Sequence, residues 1–496
     1  MRLAGEGEQS GLRPLLDVPK DRLPREEAVL TPHETHEIPQ EDGTGTVIGS
    51  TLNVANCAIG AGVLAFPFAF KCAGLLLGPI LVIILSLFMG AALHVLAATA
   101  KDCGSRTYQE TLKFGLPDKL GHACEWILES TVYVYVLGCG VAFLSVVSDQ
   151  ISPIIDGHGP LANRSVLISS LSLTVAFPLC LIRNINAFVL SSIFAIVSIL
   201  YMSIIVMYYG ISLGPSYFNP TGTLHLINPD TAQIFKAIPI ICYAFNCHLA
   251  YTPIFNELKA RDADGSPYRT VRNMDRVAVG AYAICATLYI ACGICGCMLF
   301  GDRLSDGGDI LAQLPGGGDE SGQPCRNPDG SDNVLAQTGC VATCPPDHPA
   351  CPYDVHVARL SVAIAVLSLY PKLQWVARTC IDDLLVNHGV FEEVKDESGA
   401  RVIPDRRFYL ETVFYVVVTT LVACVVPQIS VVMDFIGSTL AGLQVFVFPG
   451  LLWWKLKARE AAEKGLCKTS EFPMPLYTHF NIVLAVFMAA AYYATL

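Results

Sequence analysis

Charged residues are scarce in this chain, since they make up only 15% of its 496 residues whereas 53% are hydrophobic. Soluble domains carry roughly 25% charged residues, so this composition and a mean hydropathy of +0.49 nearly exclude a water-soluble fold. No patch of lysine and arginine with interleaved aromatic residues is present, which leaves nucleic-acid binding without support. The apolar segments also lack a Ser/His/Asp set, paired acids or a metal-ligand cluster, so we expect neither an enzyme nor a cofactor.

In place of charge, the sequence has a series of long apolar segments. A helix needs about 20 such residues to span a hydrocarbon core of about 30 Å. Hydropathy predicts about eleven spans, near residues 46–70, 75–100, 123–149, 165–182, 187–213, 232–256, 275–300, 355–383, 408–427, 430–456 and 474–495. The predicted fold class is therefore an all-α polytopic protein embedded in membrane lipid.

Charge and composition divide the chain into four parts. Residues 1–44 are rich in Glu, Asp, Pro and Gly, which predicts a disordered acidic tail, and prolines interrupt any apolar run that a secretory leader would need. Residues 45–456 hold the first ten spans, and residues 301–354 form a long loop inserted between spans seven and eight. Residues 457–496 form a linker followed by the eleventh span.

Lysine and arginine concentrate in the connections that follow the even-numbered spans, whereas the opposite face has only Lys71, Arg164, Arg303 and Arg326. Because positive residues are retained on the cytosolic side, this asymmetry predicts the orientation of the chain. We expect the amino-terminal tail and the linker before the eleventh span to be cytosolic, and the carboxyl terminus to be non-cytosolic.

Two loops on the predicted non-cytosolic face agree with this orientation. The first holds the glycosylation acceptor sequence Asn163-Arg164-Ser165. The 301–354 loop holds four cysteines, which predict one or two disulfides in an oxidising space, with three possible full pairings. A zinc site that includes nearby histidines is the alternative for this loop. The residues concerned are Cys325, Cys340, Cys344 and Cys351, with His348 and His356.

The first span is interrupted by Gly60, Ala61 and Gly62, with Pro67 close behind. Backbone groups released from an unwound helix supply polar contacts at membrane depth without a bare charge in lipid. Free amides at the start of the following half-helix would attract a carboxylate, and freed carbonyls with the Asn56 side chain would hold a cation. The alternative is that the glycines only allow close helix packing and the proline only bends the helix.

The sixth span contains a matching interruption, with Asn246 and His248 between Pro239 and Pro253. Paired interruptions five spans apart are what an inverted five-plus-five repeat predicts, so they favour unwinding at both places. His248 has two interpretations, because an imidazole with a pKa of about 6.5 is able to carry a proton. It is equally consistent with a neutral ring that is hydrogen-bonded by the unwound backbone.

These segments resemble the amino acid/auxin permease family, and within it the sodium-coupled neutral amino acid transporters. The resemblance extends from about Thr46 to Leu456 and is carried by residues 56–67, 106–110, 241–248 with Pro253, 293–296 and 445–450. It implies a fold similar to the leucine transporter, with spans one to five and six to ten as inverted repeats, broken helices 1 and 6, and an eleventh span outside them. It also implies secondary active transport of neutral L-amino acids, glutamine or asparagine above all, and we assume a monomer.

The resemblance further implies two sets of binding residues. The substrate carboxylate would bind Gly60, Ala61 and Gly62, and its amino group and side chain would face Tyr243, Ala244 and Asn246. A sodium ion would bind Asn56, the carbonyls of Ile59 and Ala365, and Ser368.

Two alternatives to a sodium-coupled transporter stay open. The family tends to place a second hydroxyl beside Ser368, where this chain has Leu369, so proton coupling through a residue such as His248 is one of them. A sensor that binds an amino acid without transporting it is the other. Resemblance to lysosomal members of the family favours the lysosomal or vacuolar membrane over the plasma membrane.

Overall fold

The computed structural model describes residues 43–59, 61–154, 163–182, 189–212, 224–262, 264–301, 304, 351–395, 403–426, 429–464 and 473–495. These residues are nearly all helical, and their only β pairing consists of isolated bridges. The helices are α1 (Val47–Ala58), α2 (Phe66–Ala73), α3 (Leu77–Cys103), α4 (Tyr108–Gly115), α5 (Asp118–Ile151), α6 (Arg164–Leu171), α7 (Phe177–Cys180), α8 (Val189–Ser212), α9 (Thr231–Ala244), α10 (His248–Glu257), α11 (Val271–Phe300), α12 (Cys351–Asn387), α13 (Asp405–Val425), α14 (Ile429–Phe435), α15 (Phe448–Glu463) and α16 (Leu476–Thr495).

The predicted fold class is confirmed. Within the described residues, eight helices are long and apolar enough to cross a membrane, and the bent pair Val47–Ala58 and Gly62–Ala73 adds a ninth span. The apolar helices Arg164–Cys180 and Leu476–Ala490 are shorter. Each predicted span overlaps one of these elements, while the full count of about eleven crossings stays a prediction.

Side chains of opposite character lie on the outside and inside of the bundle. Large apolar residues such as Leu87, Ile204 and Val483 are exposed on the outer surface. Polar residues such as Thr419 and Gln444 are fully buried. Helices that face lipid need this arrangement, because polar side chains are stable at that depth only against other protein groups.

The first and sixth spans run in opposite directions beside each other. At one end, Gly45 before α1 forms an isolated parallel bridge with Leu258 after α10, and Gly45 N donates to Glu257 O at 2.9 Å. At the other end, the Cys72 thiol of α2 lies 3.7 Å from Gln233 Oε1 of α9. The start of one span therefore meets the end of the other, as an inverted repeat requires.

Two features of the fold were not predicted from hydropathy. Helix α4 is a short helix between the second and third spans, capped by Thr107, whose hydroxyl accepts from Glu110 N at 3.2 Å. The tenth span is not a plain α-helix, because π-helical turns at Ile436–Ala441 and Leu443–Val447 separate α14 from α15. Such turns widen a helix and occur often at functional sites.

Candidate substrate and ion site

The first span is broken after Ala58, where α1 ends. Ile59 has an extended backbone (φ −73°, ψ 97°), and a 3₁₀ turn over Ala61–Ala65 leads into α2. The two half-helices are bent by 57°. Pro67 lies in the first turn of α2, where its missing N–H removes no helical hydrogen bond, so it starts a new helix rather than bending an old one.

The sixth span is broken over Phe245, Asn246 and Cys247, between α9 and α10. Asn246 N donates to Tyr243 O at 3.2 Å, which tightens the last turn of α9. Helix α10 then begins at His248 without a side-chain cap. Both interruptions that the sequence predicted are therefore breaks in helical hydrogen bonding.

The two breaks are packed directly against each other through Gly62 and Ala244. A Cβ placed on Gly62 would lie 3.0 Å from the Cβ of Ala244, 3.2 Å from its Cα and 3.6 Å from Tyr243 Cδ1. Contacts of 3.0 Å are tighter than nearly all Cβ contacts in proteins, so glycine permits this approach without a shift of the neighbouring helix. The structure thus brings Gly62, Tyr243 and Ala244 together.

Helix α11 supplies hydrogen bonds to the carbonyls that both breaks release. The Tyr289 hydroxyl lies 2.8 Å from Ala58 O and 3.1 Å from Ala244 O, and its single proton is shared between them. Tyr282 donates to Phe245 O at 3.2 Å. These buried carbonyls would otherwise lack the hydrogen bond that their burial demands.

Neither the hydropathy pattern nor the family resemblance points to these α11 residues. Tyr282, Cys285 and Tyr289 have the i, i+3, i+7 spacing that places side chains on one helix face, which was the available signal. Aromatic contacts hold this face in place, because Phe66 stacks on Tyr289 at a ring distance of 4.3 Å and Phe245 meets the edge of both tyrosines.

Helix α5 and the π-helical part of the tenth span border the second break. The Tyr135 ring of α5 lies 6.1 Å from that of Tyr243, and Cys139 Sγ lies 3.9 Å from the Tyr243 hydroxyl. On the other side, a Cβ on Gly437 would collide with Pro239 O of α9, so this glycine also allows a close approach. The second break is therefore enclosed by α5, α11 and the π-helical turns.

The predicted sodium ligands lie on two elements. Ser368 Oγ donates to Ala365 O at 2.7 Å within α12, and lone pairs remain on both oxygens. Asn56 and Ile59 lie at the end of α1. Neutral oxygens of this kind suit a hard cation.

The two halves of this set lie on helices whose main neighbours differ. Among the described residues, α1 packs on α10 and α11, whereas α12 packs mainly on α5 and α8. Lys372 follows Ser368 by one turn of α12.

His248 is fully buried in the first turn of α10, beside the backbone of Met89 on α3. Neither ring nitrogen has a hydrogen-bond partner with good geometry among the described residues. The ring is thus deep in the bundle but is not held by the unwound backbone of its own span.

Some predicted residues fall outside what the structure describes. Gly60 lies outside the described residues, as do Cys325, Cys340 and Cys344, and nothing is described of the Cys351 side chain. Asn163 is exposed and caps α6, because its Oδ1 accepts from Ser165 N at 3.0 Å and Val166 N at 3.4 Å.

Comparison with known proteins agrees with this geometry. The sequence profile of the family described as transmembrane amino acid transporter protein matches residues 43–318 and 355–494. The chain belongs to this family. As a transmembrane amino acid transporter it is a multi-pass integral membrane protein, which confirms the expectation from its resemblance.

The chain is similar to several transporters along most of its length. The sodium-coupled neutral amino acid transporter 7 of Xenopus laevis is 27% identical over 425 residues, which cover 84% of this chain and 82% of that protein. Its Homo sapiens counterpart is 27% identical over 431 residues, which cover 85% and 81%. Solute carrier family 38 member 8 of Mus musculus is 27% identical over 418 residues, which cover 82% and 83%.

A solved structure supports the fold of this transmembrane amino acid transporter. The manganese transporter of Eremococcus coleocola aligns with a TM-score of 0.50 at 12% sequence identity, and the alignment covers 93% of this chain and 90% of that chain. The likeness concerns the fold alone, and it agrees with the leucine-transporter-like architecture expected from the sequence.

Proposed function

We propose that the protein is a secondary active transporter of neutral L-amino acids, with glutamine or asparagine as substrate, that works by alternating access. The observation that carries this proposal is the direct contact of two helix breaks, Gly62 against Ala244, in the interior of a membrane-embedded bundle. The breaks release backbone N–H and C=O groups at membrane depth, where unpaired groups are costly. A bound substrate with its own charges would pair with such groups. The names of the relatives, sodium-coupled neutral amino acid transporters, agree with it.

In this proposal the substrate lies along the two breaks. Its carboxylate binds the amides of Gly60, Ala61 and Gly62 at the start of the second half of span one, where the helix dipole is positive. The α-amino group and side chain face Tyr243, Ala244 and Asn246. A neutral amino acid fits, since its two backbone charges are matched by backbone dipoles and no further charge needs a partner.

Sodium is the coupling ion in this proposal, held by Asn56, the Ile59 and Ala365 carbonyls and Ser368. The donor set is chemically suitable, and the relatives are named for sodium coupling. Leu369 weakens the site, since it stands where the family tends to supply a second hydroxyl oxygen. We therefore expect a lower sodium affinity than a site with two hydroxyls would have.

Uptake by proteoliposomes that contain the purified full-length chain tests the proposal. Radiolabelled glutamine is supplied under an inward sodium gradient, under a potassium gradient of equal strength, and under an inward proton gradient. We expect accumulation with sodium only. Stimulation by acid alone would replace sodium with proton coupling, binding without uptake would indicate a sensor, and no binding or uptake of any neutral amino acid would overturn the proposal.

We further propose a lysosomal or vacuolar location, with the amino terminus in the cytosol and Asn163 in the lumen. Glycan attachment uses the amide nitrogen, so Asn163 Oδ1 remains free to cap α6. A glycosidase should then shift the wild-type protein on a gel but leave Asn163→Gln unchanged. A fluorescent fusion reports the compartment.

We also propose disulfides among the four cysteines of the 301–354 loop. Non-reducing electrophoresis of cysteine variants tests them, with substitutions at Cys325, Cys340, Cys344 and Cys351.

A further inference from the structure

Two side-chain amides meet beside the second helix break. Asn246 Nδ2 donates to Gln444 Oε1 at 3.1 Å. Asn246 Oδ1 and Gln444 Nε2 are both buried and have no hydrogen-bond partner with good geometry among the described residues. Gln444 is fully buried, in the π-helical turn Leu443–Val447. The pair therefore presents one unsatisfied acceptor and one unsatisfied donor side by side.

This pattern does not depend on how the amides are oriented. If both side chains were flipped, Gln444 Nε2 would donate to Asn246 Oδ1, and the unsatisfied atoms would be one amide nitrogen and one carbonyl oxygen again. Buried polar groups without partners are costly, so a donor and an acceptor left side by side at a helix break are suited to contacts with a bound ligand.

The surroundings hold Gln444 in place without using its side chain. The Tyr108 hydroxyl of α4 donates to the backbone carbonyl of Gln444 at 2.6 Å, which the π-helical turn leaves accessible. The Tyr135 hydroxyl of α5 lies within hydrogen-bonding reach of the Asn246 side chain. Gln444 is thus held through its backbone carbonyl, and Asn246 is bordered by the same α5 tyrosine that lies near Tyr243.

We propose that Gln444 and Asn246 recognise the side-chain carboxamide of the substrate and make the site selective for glutamine and asparagine. This inference rests on the proposed function and names the two residues that would read the side chain of its substrate. The carboxamide oxygen accepts from Gln444 Nε2, and the carboxamide nitrogen donates to Asn246 Oδ1.

Other side chains match this pair less well. A carboxylate offers acceptors only, so glutamate or aspartate would oppose the Asn246 oxygen and bring a charge into a buried place. An aliphatic side chain such as that of leucine, which has nearly the shape of asparagine, would leave both atoms unsatisfied. Sites built to hydrogen-bond a substrate reject such isosteres strongly.

The test measures selectivity in proteoliposomes, as the ratio of kcat/KM for glutamine to that for alanine, which has no carboxamide. In Gln444→Met the donor is lost while side-chain volume is nearly kept, and we expect this ratio to fall about 10- to 100-fold. Gln444→Glu is a second variant of almost unchanged shape that retains an acceptor for Asn246, and it should also lose the preference. Binding, read as ligand-induced thermal stabilisation in detergent, should follow the same order.

The matched control is Asn481→Leu, which removes a buried amide of α16 beside Gly450, outside the proposed site. Its ratio should equal that of the wild type. A loss of glutamine preference confined to the Gln444 variants supports the inference. Equal losses for glutamine and alanine, unchanged selectivity, or the same loss in the control overturn it and leave the transporter proposal standing. Wild-type protein that transports neither substrate defeats the proposed function itself.

Discussion

Replacing Tyr289 by phenylalanine removes one hydroxyl group and tests whether α11 holds the two helix breaks together. The hydroxyl lies 2.8 Å from Ala58 O and 3.1 Å from Ala244 O, so both carbonyls lose their shared donor at once. The phenylalanine ring keeps the stacking contact with Phe66 and the edge contact with Phe245, so the variant leaves no cavity. Any effect then reports the hydrogen bonds alone.

A buried polar group that loses its partner costs about 1–3 kcal/mol. Because a single hydroxyl proton serves both carbonyls, we apply the cost of about 1–3 kcal/mol once to the two carbonyls together and do not double it. If the cost falls on the conformation that binds substrate, the glutamine affinity falls by about 5- to 150-fold. The thermal midpoint of the purified protein should also fall.

Two measurements check this prediction, namely binding of radiolabelled glutamine to purified protein and thermal unfolding in detergent. The matched control is Tyr208→Phe, because Tyr208 lies exposed on α8, away from both breaks. The control should leave affinity and melting temperature unchanged. Wild-type affinity and stability in Tyr289→Phe would refute the argument that this hydroxyl joins the breaks.

Three further variants test other parts of the site and fold. Gly62→Val should abolish uptake by proteoliposomes while the protein still inserts into the membrane, because even a Cβ would lie 3.0 Å from the Cβ of Ala244. Residual transport near the wild-type rate would contradict the packing. Ser368→Ala should raise the sodium concentration that gives half-maximal uptake several-fold, while glutamine binding without sodium stays constant. An unchanged sodium dependence would show that Ser368 is not a ligand of the ion. Asp382→Ala removes a buried carboxylate whose Oδ1 lies 3.2 Å from Arg407 Nη1. The free energy of unfolding should fall by about 1–3 kcal/mol, which a lower melting temperature would report. Equal melting curves would show that this ion pair does not stabilise the protein.

The sequence was informative wherever lipid imposes a strict requirement. A span must be apolar over a fixed length, and a break must lie where glycine, proline or a polar side chain interrupts it, so both breaks were located to within a few residues. Gly62 and Asn246 were found in this way.

The α11 contacts and the π-helical turns were not found, for a physical reason. Tyr282 and Tyr289 bind backbone carbonyls, and a backbone acceptor has no sequence signature of its own. The first π-helical turn lies where Gly437 closely approaches Pro239 O of α9, and such a tertiary contact leaves no mark in a hydropathy profile. Helix α4 is too short and too polar to appear in a hydropathy profile.

The start of the first span is joined to the chain that follows the sixth span. Gly45 N donates to Glu257 O at 2.9 Å, Lys259 N to Gly45 O at 3.1 Å and Val47 N to the Tyr268 hydroxyl at 3.0 Å. At about 1 kcal/mol net for each bond, these three contacts on their own would leave the two segments apart in about one molecule in 150 at equilibrium. We therefore expect this junction to be among the more easily separated contacts of the bundle, which hydrogen exchange at Gly45, Val47 and Lys259 would report.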